Sequence, residues 1–264
     1  MIIDRTNINE IVSKTNTKPD KDYGQNFLVV PEVARAIVEA LDVQKEEKVL
    51  EIGPGLGSLT HFLADKSNLT VCDIDSRMID FLKGVYPSIT YILNDIRKVD
   101  VSTYDKIIGN LPYNITTELV TYLLMNARKC KKMVLMCQQE AFLRFFDVFG
   151  GNYGPASILL HLLGDIKKLM IVKPGNFYPA PKINSLVFSF TYSDNANFDS
   201  AIKVYKFAKS MFLNRRKTIY NNLRNYLGDA EKTKLILHKL GISNTARPEE
   251  LSPNIYFKLY NSLS

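Results

Sequence analysis

Residues 49–73, VLEIGPGLGSLTHFLADKSNLTVCD, decide how this chain folds. Val49–Ile52 reads as a short apolar strand, Gly53–Gly57 as a glycine-rich turn, and Leu59, Phe62 and Leu63 mark the helix that follows. Leu69–Asp73 is a second strand, and it ends on an acid. Strand, tight turn, helix and strand at this spacing make one unit of a parallel sheet. Gly53, Gly55 and Gly57 let backbone approach a ligand closely and tighten the turn ahead of a helix N-terminus. Asp73 then lies about twenty residues on, where a carboxylate accepts both hydroxyls of a ribose. Asp75, two residues later, is the alternative.

The alternation continues outward from this unit. Met78, Ile79, Leu82 and Val85 share one helical face, and Thr90–Leu93 is a third strand ending near Asp95. Lys106–Ile108 is a fourth strand, 116–127 a helix with Thr116 or Asn114 as its cap, and Met133–Cys137 a fifth strand. Leu169–Val172 and Leu186–Phe190 flank PGNFYPAP and are expected to complete the sheet with an antiparallel edge. On the N-terminal side, Pro31 sits at a helix start, with Val33, Ile37, Ala40 and Leu41 at helical spacing. The pattern predicts an α/β fold with a doubly wound parallel sheet. Residues 1–22 are polar and read as a mobile arm, residues 23–192 as the α/β domain, and residues 193–264 as a small all-helical domain beyond the linker SDNAN.

The chain has 264 residues, 46% hydrophobic and 23% charged, which fits a soluble globular protein with a large core. No apolar run approaches membrane-spanning length, and no secretory signal is visible at the start. Cys72, Cys130 and Cys137 form no C-x-x-C pair, and His61, His161 and His238 are far apart. These spacings predict reduced thiols in a cytoplasmic protein and no metal site. The formal charge is +7, and the twelve Lys/Arg against six Asp/Glu after residue 192 account for +6 of it. Charge concentrated in one segment points to a polyanion, most simply nucleic acid. Residues 198–227 contain no Gly or Pro and read as one helix. On it Lys203, Lys206, Lys209, Arg216, Lys217 and Arg224 fall within an arc of roughly 140° at 3.6 residues per turn.

A second stretch carries chemistry: residues 105–114, DKIIGNLPYN. Ile107 and Ile108 end a buried strand, Gly109 breaks it, and Asn110, Leu111, Pro112 and Tyr113 follow. Pro112 fixes its own φ and pushes Leu111 into an extended conformation, which aims the Leu111 carbonyl. An amide, a directed carbonyl and an aromatic ring at a strand tip suit a flat ring bearing an amino group. Asp95, at another strand end, is placed to accept from an adenine amino group.

GQNFL (24–28), EIGPGLG-x-LT (51–60), NDI (94–96), NLPYNI (110–115), FYPAPKINS (177–185) and NRRKT-x-x-NNL (214–223) occur in this order. With them the chain closely resembles the ribosomal small-subunit RNA adenine dimethyltransferases, the KsgA family, from Tyr23 to the C-terminus. The resemblance implies S-adenosylmethionine as methyl donor, with no metal. It implies that two adjacent adenines in the 3′-terminal hairpin of 16S rRNA each receive two methyl groups on the exocyclic nitrogen during small-subunit biogenesis. By matching motif, Asn26 and Leu28 would contact the cofactor, Gly53 and Gly55 would approach it, Asp73 would hold its ribose and Asp95 its adenine. Asn110 would touch both cofactor and target amino group, Leu111 would offer its carbonyl, and Tyr113 and Phe177 would stack on the extruded base. Arg215, Arg216, Lys217 and Arg224 would hold RNA phosphates. The family usually carries Glu where this chain has Asp73, so the shorter side chain must reach one methylene further. The expected partner is 16S rRNA in the immature small subunit, with the enzyme a monomer. Two rivals stand beside this reading: a large-subunit adenine methylase of the erythromycin-resistance type, and a small-subunit assembly or checkpoint factor with secondary catalysis.

Overall fold

The computed structural model describes residues 1–15, 17–20, 24–112 and 114–263. In chain order the elements are α1 (Ile8–Thr15), β1 (Phe27–Leu28), α2 (Pro31–Leu41), β2 (Lys48–Ile52), α3 (Thr60–Leu63), β3 (Asn68–Asp73), α4 (Ser76–Val85) and β4 (Thr90–Leu93). They continue with β5 (Lys106–Asn110), α5 (Thr116–Asn126), β6 (Lys132–Gln138), α6 (Gln139–Phe146), α7 (Pro155–Leu163), β7 (Gly164–Val172), β8 (Phe177–Tyr178) and β9 (Ser185–Tyr192). The last are α8 (Phe198–Phe212), α9 (Ile219–Leu227), α10 (Ala230–Lys239) and α11 (Pro253–Asn261).

The sheet runs β4-β3-β2-β5-β6-β9-β7. The first five strands are parallel, and β9 pairs antiparallel with β6. β2, β5 and β6 are apolar and buried almost without interruption, as strands covered on both faces must be. Strand order reverses between β2 and β5, where Ile52 lies opposite Gly109. A Cβ at Gly109 would stand 2.6 Å from the Ile52 carbonyl oxygen, so glycine is what lets the two strands close at this point. Crevices at such reversals, at the carboxyl ends of the strands, are where open α/β sheets bind ligands.

By contact density the chain divides into two units: residues 1–141 with 166–192, and residues 142–165 with 193–264. Residues 142–165, expected within the α/β domain, group with the C-terminal helices. The reason is apolar burial: Tyr153 and Ile158 share a core with Val204, Phe207, Met211, Leu223 and Tyr256.

The N-terminal segment also departs from expectation. Residues 8–15 form α1, and Ile3, Ile8 and Val12 are buried against Phe27, Val29, Leu56 and Met78. Three aliphatic residues spaced along a polar stretch dock it there.

The single helix expected over 198–227 is two helices. Thr218 caps α9, its hydroxyl accepting from the Asn221 N–H at 3.3 Å, and a Thr ahead of an apolar run is a strong helix start. Between α8 and α9 the Lys217 N–H donates to the Asn214 carbonyl at 2.8 Å. The buried Asn222 amide donates to the Asn214 and Lys217 carbonyls at 3.2 and 3.4 Å. Lys203, Lys206 and Lys209 therefore lie on α8, Arg216 and Lys217 in the turn, and Arg224 on α9, and the single basic arc does not exist.

Candidate active site

The carboxyl ends of β2, β3 and β5 open onto a cavity of about 200 Å³. Its lining includes Asn26, Leu28, Glu51, Gly53, Gly55, Asp73, Asp95, Asn110 and Leu111. The turn after β2 holds Gly53, Gly55 and Gly57 at φ of +63°, +54° and +88°, in the left-handed region that favours glycine. The Gly53 N–H donates to the Cys72 carbonyl at 2.9 Å, which continues the sheet into the turn.

Asp73 and Asp75 have parted roles. Asp75 is 4% exposed and caps α4, accepting from the Arg77 N–H at 3.0 Å, from the Arg77 side chain and from Gln25. Burial works against its charge, but those hydrogen bonds outweigh burial and hold its carboxyl below the ordinary carboxylate range. Asp73 lines the cavity, and its Oδ1 accepts from the Asp75 N–H at 2.9 Å. Burial pushes Asp73 up to about 6, against the pull of the backbone N–H groups around it. Asp95 accepts a forked pair from Arg97, Nε to Oδ1 at 2.9 Å and Nη2 to Oδ2 at 2.5 Å, which holds its carboxyl low. Arg97 reaches on to Glu118 at 2.7 Å.

The amide of Asn110 is the most informative group. Its Nδ2 donates to the Asn26 carbonyl at 3.1 Å, which fixes the plane of the amide. Its Oδ1 is buried and has no hydrogen-bond partner among the described residues. A buried amide oxygen left this way costs about 1–3 kcal/mol unless a donor reaches it. Leu111, beside it, is buried, and its N–H is held by the Met136 carbonyl at 2.9 Å.

The cavity brings together Asn26, Leu28, Gly53, Gly55, Asp73, Asp95, Asn110 and Leu111. Asn26 spends its own amide on the Gly24 carbonyl at 3.1 Å, and Leu28 lends its carbonyl to the Ser58 hydroxyl. Tyr113 lies outside the described residues. Phe177 pairs with Leu28 across β1 and β8, is 4% exposed, and is not among the residues that line the cavity. Its ring packs in the core with Leu28, Val172 and Val187, as an apolar side chain next to a sheet does. In the helical unit, Arg215 turns inward to the Gly150 carbonyl at 2.6 Å and to Glu249 at 3.5 Å, whereas Arg216, Lys217 and Arg224 are exposed.

Three of the lining residues that carried no role in the sequence reading bear on the ligand. Glu51 is 1% exposed, accepts from the Thr60 hydroxyl at 2.7 Å, and is pushed by burial up to about 8. An acid inside an apolar strand was the available signal. Ile74 is half exposed and lines the cavity beside Asp73. Arg97 is the sole basic residue among the described lining residues, and its guanidinium is paired. Lone acceptors and a committed arginine disfavour a diphosphate and favour a neutral or cationic ligand rich in N–H and O–H groups.

These features define a Rossmann-like, S-adenosylmethionine-dependent methyltransferase: the cradle, the acidic strand ends and the amide acceptor fit that cofactor's sulfonium, ribose and adenine. Among the described residues no cluster of ligating side chains fits a metal ion. The family model for ribosomal RNA adenine dimethylase matches residues 16–264, and the chain belongs to that family. It is 34% identical over 255 residues to the "Ribosomal RNA small subunit methyltransferase A" of Malacoplasma penetrans, covering 94% of this chain and 93% of that protein. Among solved structures it resembles a dimethyladenosine transferase from Plasmodium falciparum, with a TM-score of 0.78 and 26% identity over 88% of this chain and 95% of that one. The 23S rRNA methyltransferase ErmE shares the fold, with a TM-score of 0.68 and 22% identity over 90% of this chain and 99% of that one.

Proposed function

We propose that this chain transfers methyl groups from S-adenosylmethionine to the exocyclic nitrogen of two adjacent adenines in the 3′-terminal hairpin of small-subunit rRNA. The observation that carries the reading is the Asn110 amide, whose donor side is spent on the Asn26 carbonyl and whose oxygen waits, buried, for an N–H. An adenine amino group supplies that donor. The names of the curated relatives support the small-subunit substrate. A cytoplasmic monomer acting on the immature particle is the simplest form of the reading. No described helix is long and apolar enough to cross a membrane.

The bound cofactor supplies an electrophilic methyl group on a sulfonium. Gly53 and Gly55 admit it closely, Asp73 takes ribose hydroxyls, Asp95 takes the adenine amino group, and Asn26 and Leu28 close the cavity from the N-terminal side. An adenine amino nitrogen is a poor nucleophile because its lone pair is delocalised into the ring. Asn110 Oδ1 and the Leu111 carbonyl accept its two N–H groups, turn the lone pair out of conjugation, and stabilise the positive charge that grows on nitrogen. Tyr113 offers the stacking face for the extruded base. Each transfer would break the S–CH3 bond and leave a neutral thioether, and the proton released from the methylated nitrogen would pass to water; the second transfer begins with one N–H left to hold. Catalysis is then positioning and acceptor electrostatics, with no general base of tuned pKa.

The test is methyl transfer to immature small subunits that lack the modification, read by mass spectrometry of the 16S 3′ fragment. Dimethyladenosine at both adenines is expected, with no transfer to protein-free large-subunit RNA. Transfer to the large-subunit RNA instead refutes the reading in favour of the erythromycin-resistance type. Particle binding without transfer refutes it in favour of an assembly factor.

A further inference from the structure

Glu51, Asp73, Asp95 and Arg97 are the charged side chains among the described residues of the cavity wall. Arg97 is spent on Asp95 and Glu118. Glu51 is left without a cation. It is 1% exposed, and in the sheet it lies opposite Val71 of β3 on one side and Ile108 of β5 on the other. Its Oε2 accepts from the Thr60 hydroxyl at 2.7 Å, and the Thr60 N–H also donates to it. The other polar groups that face it are Asp73, at the end of β3, and Tyr86, just past α4. The first is a like charge and the second a neutral phenol. His61 and the chain's amino group reach the Tyr86 hydroxyl, and neither bonds to Glu51. Among the described residues no lysine, arginine or histidine pairs with it. A buried carboxylate with no cation at hand takes up a proton. A ligand that brings a cation into the cavity reverses that choice.

We infer that Glu51 exchanges its proton for the cofactor's positive charge: it is a neutral acid while the cavity is empty and a carboxylate once S-adenosylmethionine lies there. The inference rests on the cofactor reading above and adds a residue and a proton to it. The carboxyl O–H bond breaks, the proton passes to buffer, and nothing is oxidised or reduced. The position of the group carries this: it stands in the cavity wall, out of water, and faces no cation of the protein. Burial, which pushes the carboxyl up to about 8, acts in the same direction. The Thr60 hydroxyl donates equally well to the neutral and the charged form, so it need not move when the proton leaves. Two consequences follow. The free protein holds a proton that the loaded protein has lost, so cofactor binding tightens as pH rises towards the free value. The cavity also selects for charge, because a ligand of the same shape without a cation leaves Glu51 protonated.

The test is binding of S-adenosylmethionine to the full chain, with no RNA present. Calorimetry at pH 7 in two buffers of unlike ionisation enthalpy counts the protons. The parent should release about 0.9 proton per ligand, the protonated fraction of a group that titrates near 8, and Glu51→Gln almost none. Between pH 6.5 and 7.5 the parent's affinity should rise roughly eightfold more than the variant's. Asp73 and the ligand's own ammonium titrate in both proteins and cancel. A Glu51 that served structure alone would change the variant's affinity and leave the proton count as it was. S-adenosylhomocysteine keeps the ammonium and lacks the sulfonium, so equal release assigns the exchanged charge to the ammonium and lost release assigns it to the sulfonium. If Glu51→Gln does not fold, infrared difference spectra of the parent decide: the protonated-carboxyl band should vanish when the ligand is added. Parent release below about a quarter of a proton, a band that persists, or release unchanged in the variant overturns the exchange and leaves the methyltransferase reading standing. Failure of the parent chain to bind S-adenosylmethionine at all overturns both.

Discussion

Glu51→Gln should flatten the pH dependence of this protein's stability. Glu51 is buried inside β2, and burial pushes its carboxyl from an ordinary 4.5 up to about 8. The folded chain therefore holds a proton on this group that the unfolded chain releases between about pH 4.5 and 8. Stability tied to it is fully present below the lower value and is lost as pH rises through the upper one. Over pH 6 to 8 the loss works out at about 2 kcal/mol, at about 1.4 kcal/mol per unit and tapering near the folded pKa. Asp73 carries the same sign, but its folded value of about 6 ends its main window where the pH 6 to 8 comparison begins. His61 and His161 are held low by burial and carry the opposite sign, and both are common to the two proteins compared. Glutamine keeps an acceptor for the Thr60 hydroxyl and removes the titration. Urea unfolding of parent and Glu51→Gln at pH 6 and pH 8 isolates the term. The expected outcome is that the stability difference between the two shifts by about 2 kcal/mol in favour of the variant at pH 8. A difference that stays constant within about 0.5 kcal/mol refutes the claim that a buried neutral carboxyl stands at this point, on the scale set by the linkage relation.

Four further expectations follow from particular contacts. Asn110→Ala removes the buried acceptor and should lower the transfer rate by about 10²- to 10³-fold, as loss of one oriented electrostatic contact does, while particle binding stays near normal in a filter assay; unchanged transfer removes Asn110 from the mechanism. Gly57→Ala places a Cβ at φ +88° and 2.7 Å from Leu82 Cδ2, and should destabilise by about 2 kcal/mol or more. Gly84→Ala, in α4 with nothing within 4 Å of the new Cβ, should stabilise by about 0.5–1 kcal/mol, both glycine variants being read by urea unfolding. Asn222→Ala strips the carbonyls of Asn214 and Lys217 of their buried donor and should cost about 1–3 kcal/mol; exchange-protection measurements should show the loss concentrated in the turn before α9.

Much of the α/β unit is legible in the linear sequence because its signals are local. Parallel strands buried on both faces read as apolar runs, and each of the five parallel strands lies within two residues of where that pattern puts it. Positive φ after β2 demands glycine, and a strand-end acid announces itself by position. The family motifs, being contiguous, name the cofactor and the reaction class. Proline after Leu111 and the amide before it mark the site for the same reason: their effect is on the backbone next door.

Whatever depends on which side chains meet across the chain was decided by the tertiary structure. Asp75 stands as the alternative to Asp73 in the sequence, and only the structure shows Arg77 and Gln25 claiming Asp75. The pairing of β8 with β1, which sets Phe177 opposite Leu28, is likewise absent from any local signal. Arg215 counts as surface charge until Gly150 and Glu249 take it. Composition counts the cations after residue 192, but the turn closed by Thr218 and Asn222 decides which of them face outward together. The sequence alone determined the sheet, the glycine cradle, the cofactor class and the Asn110 tetrapeptide. Only packing oriented the Asn110 amide, because the Asn26 carbonyl that holds its donor side comes from 84 residues away.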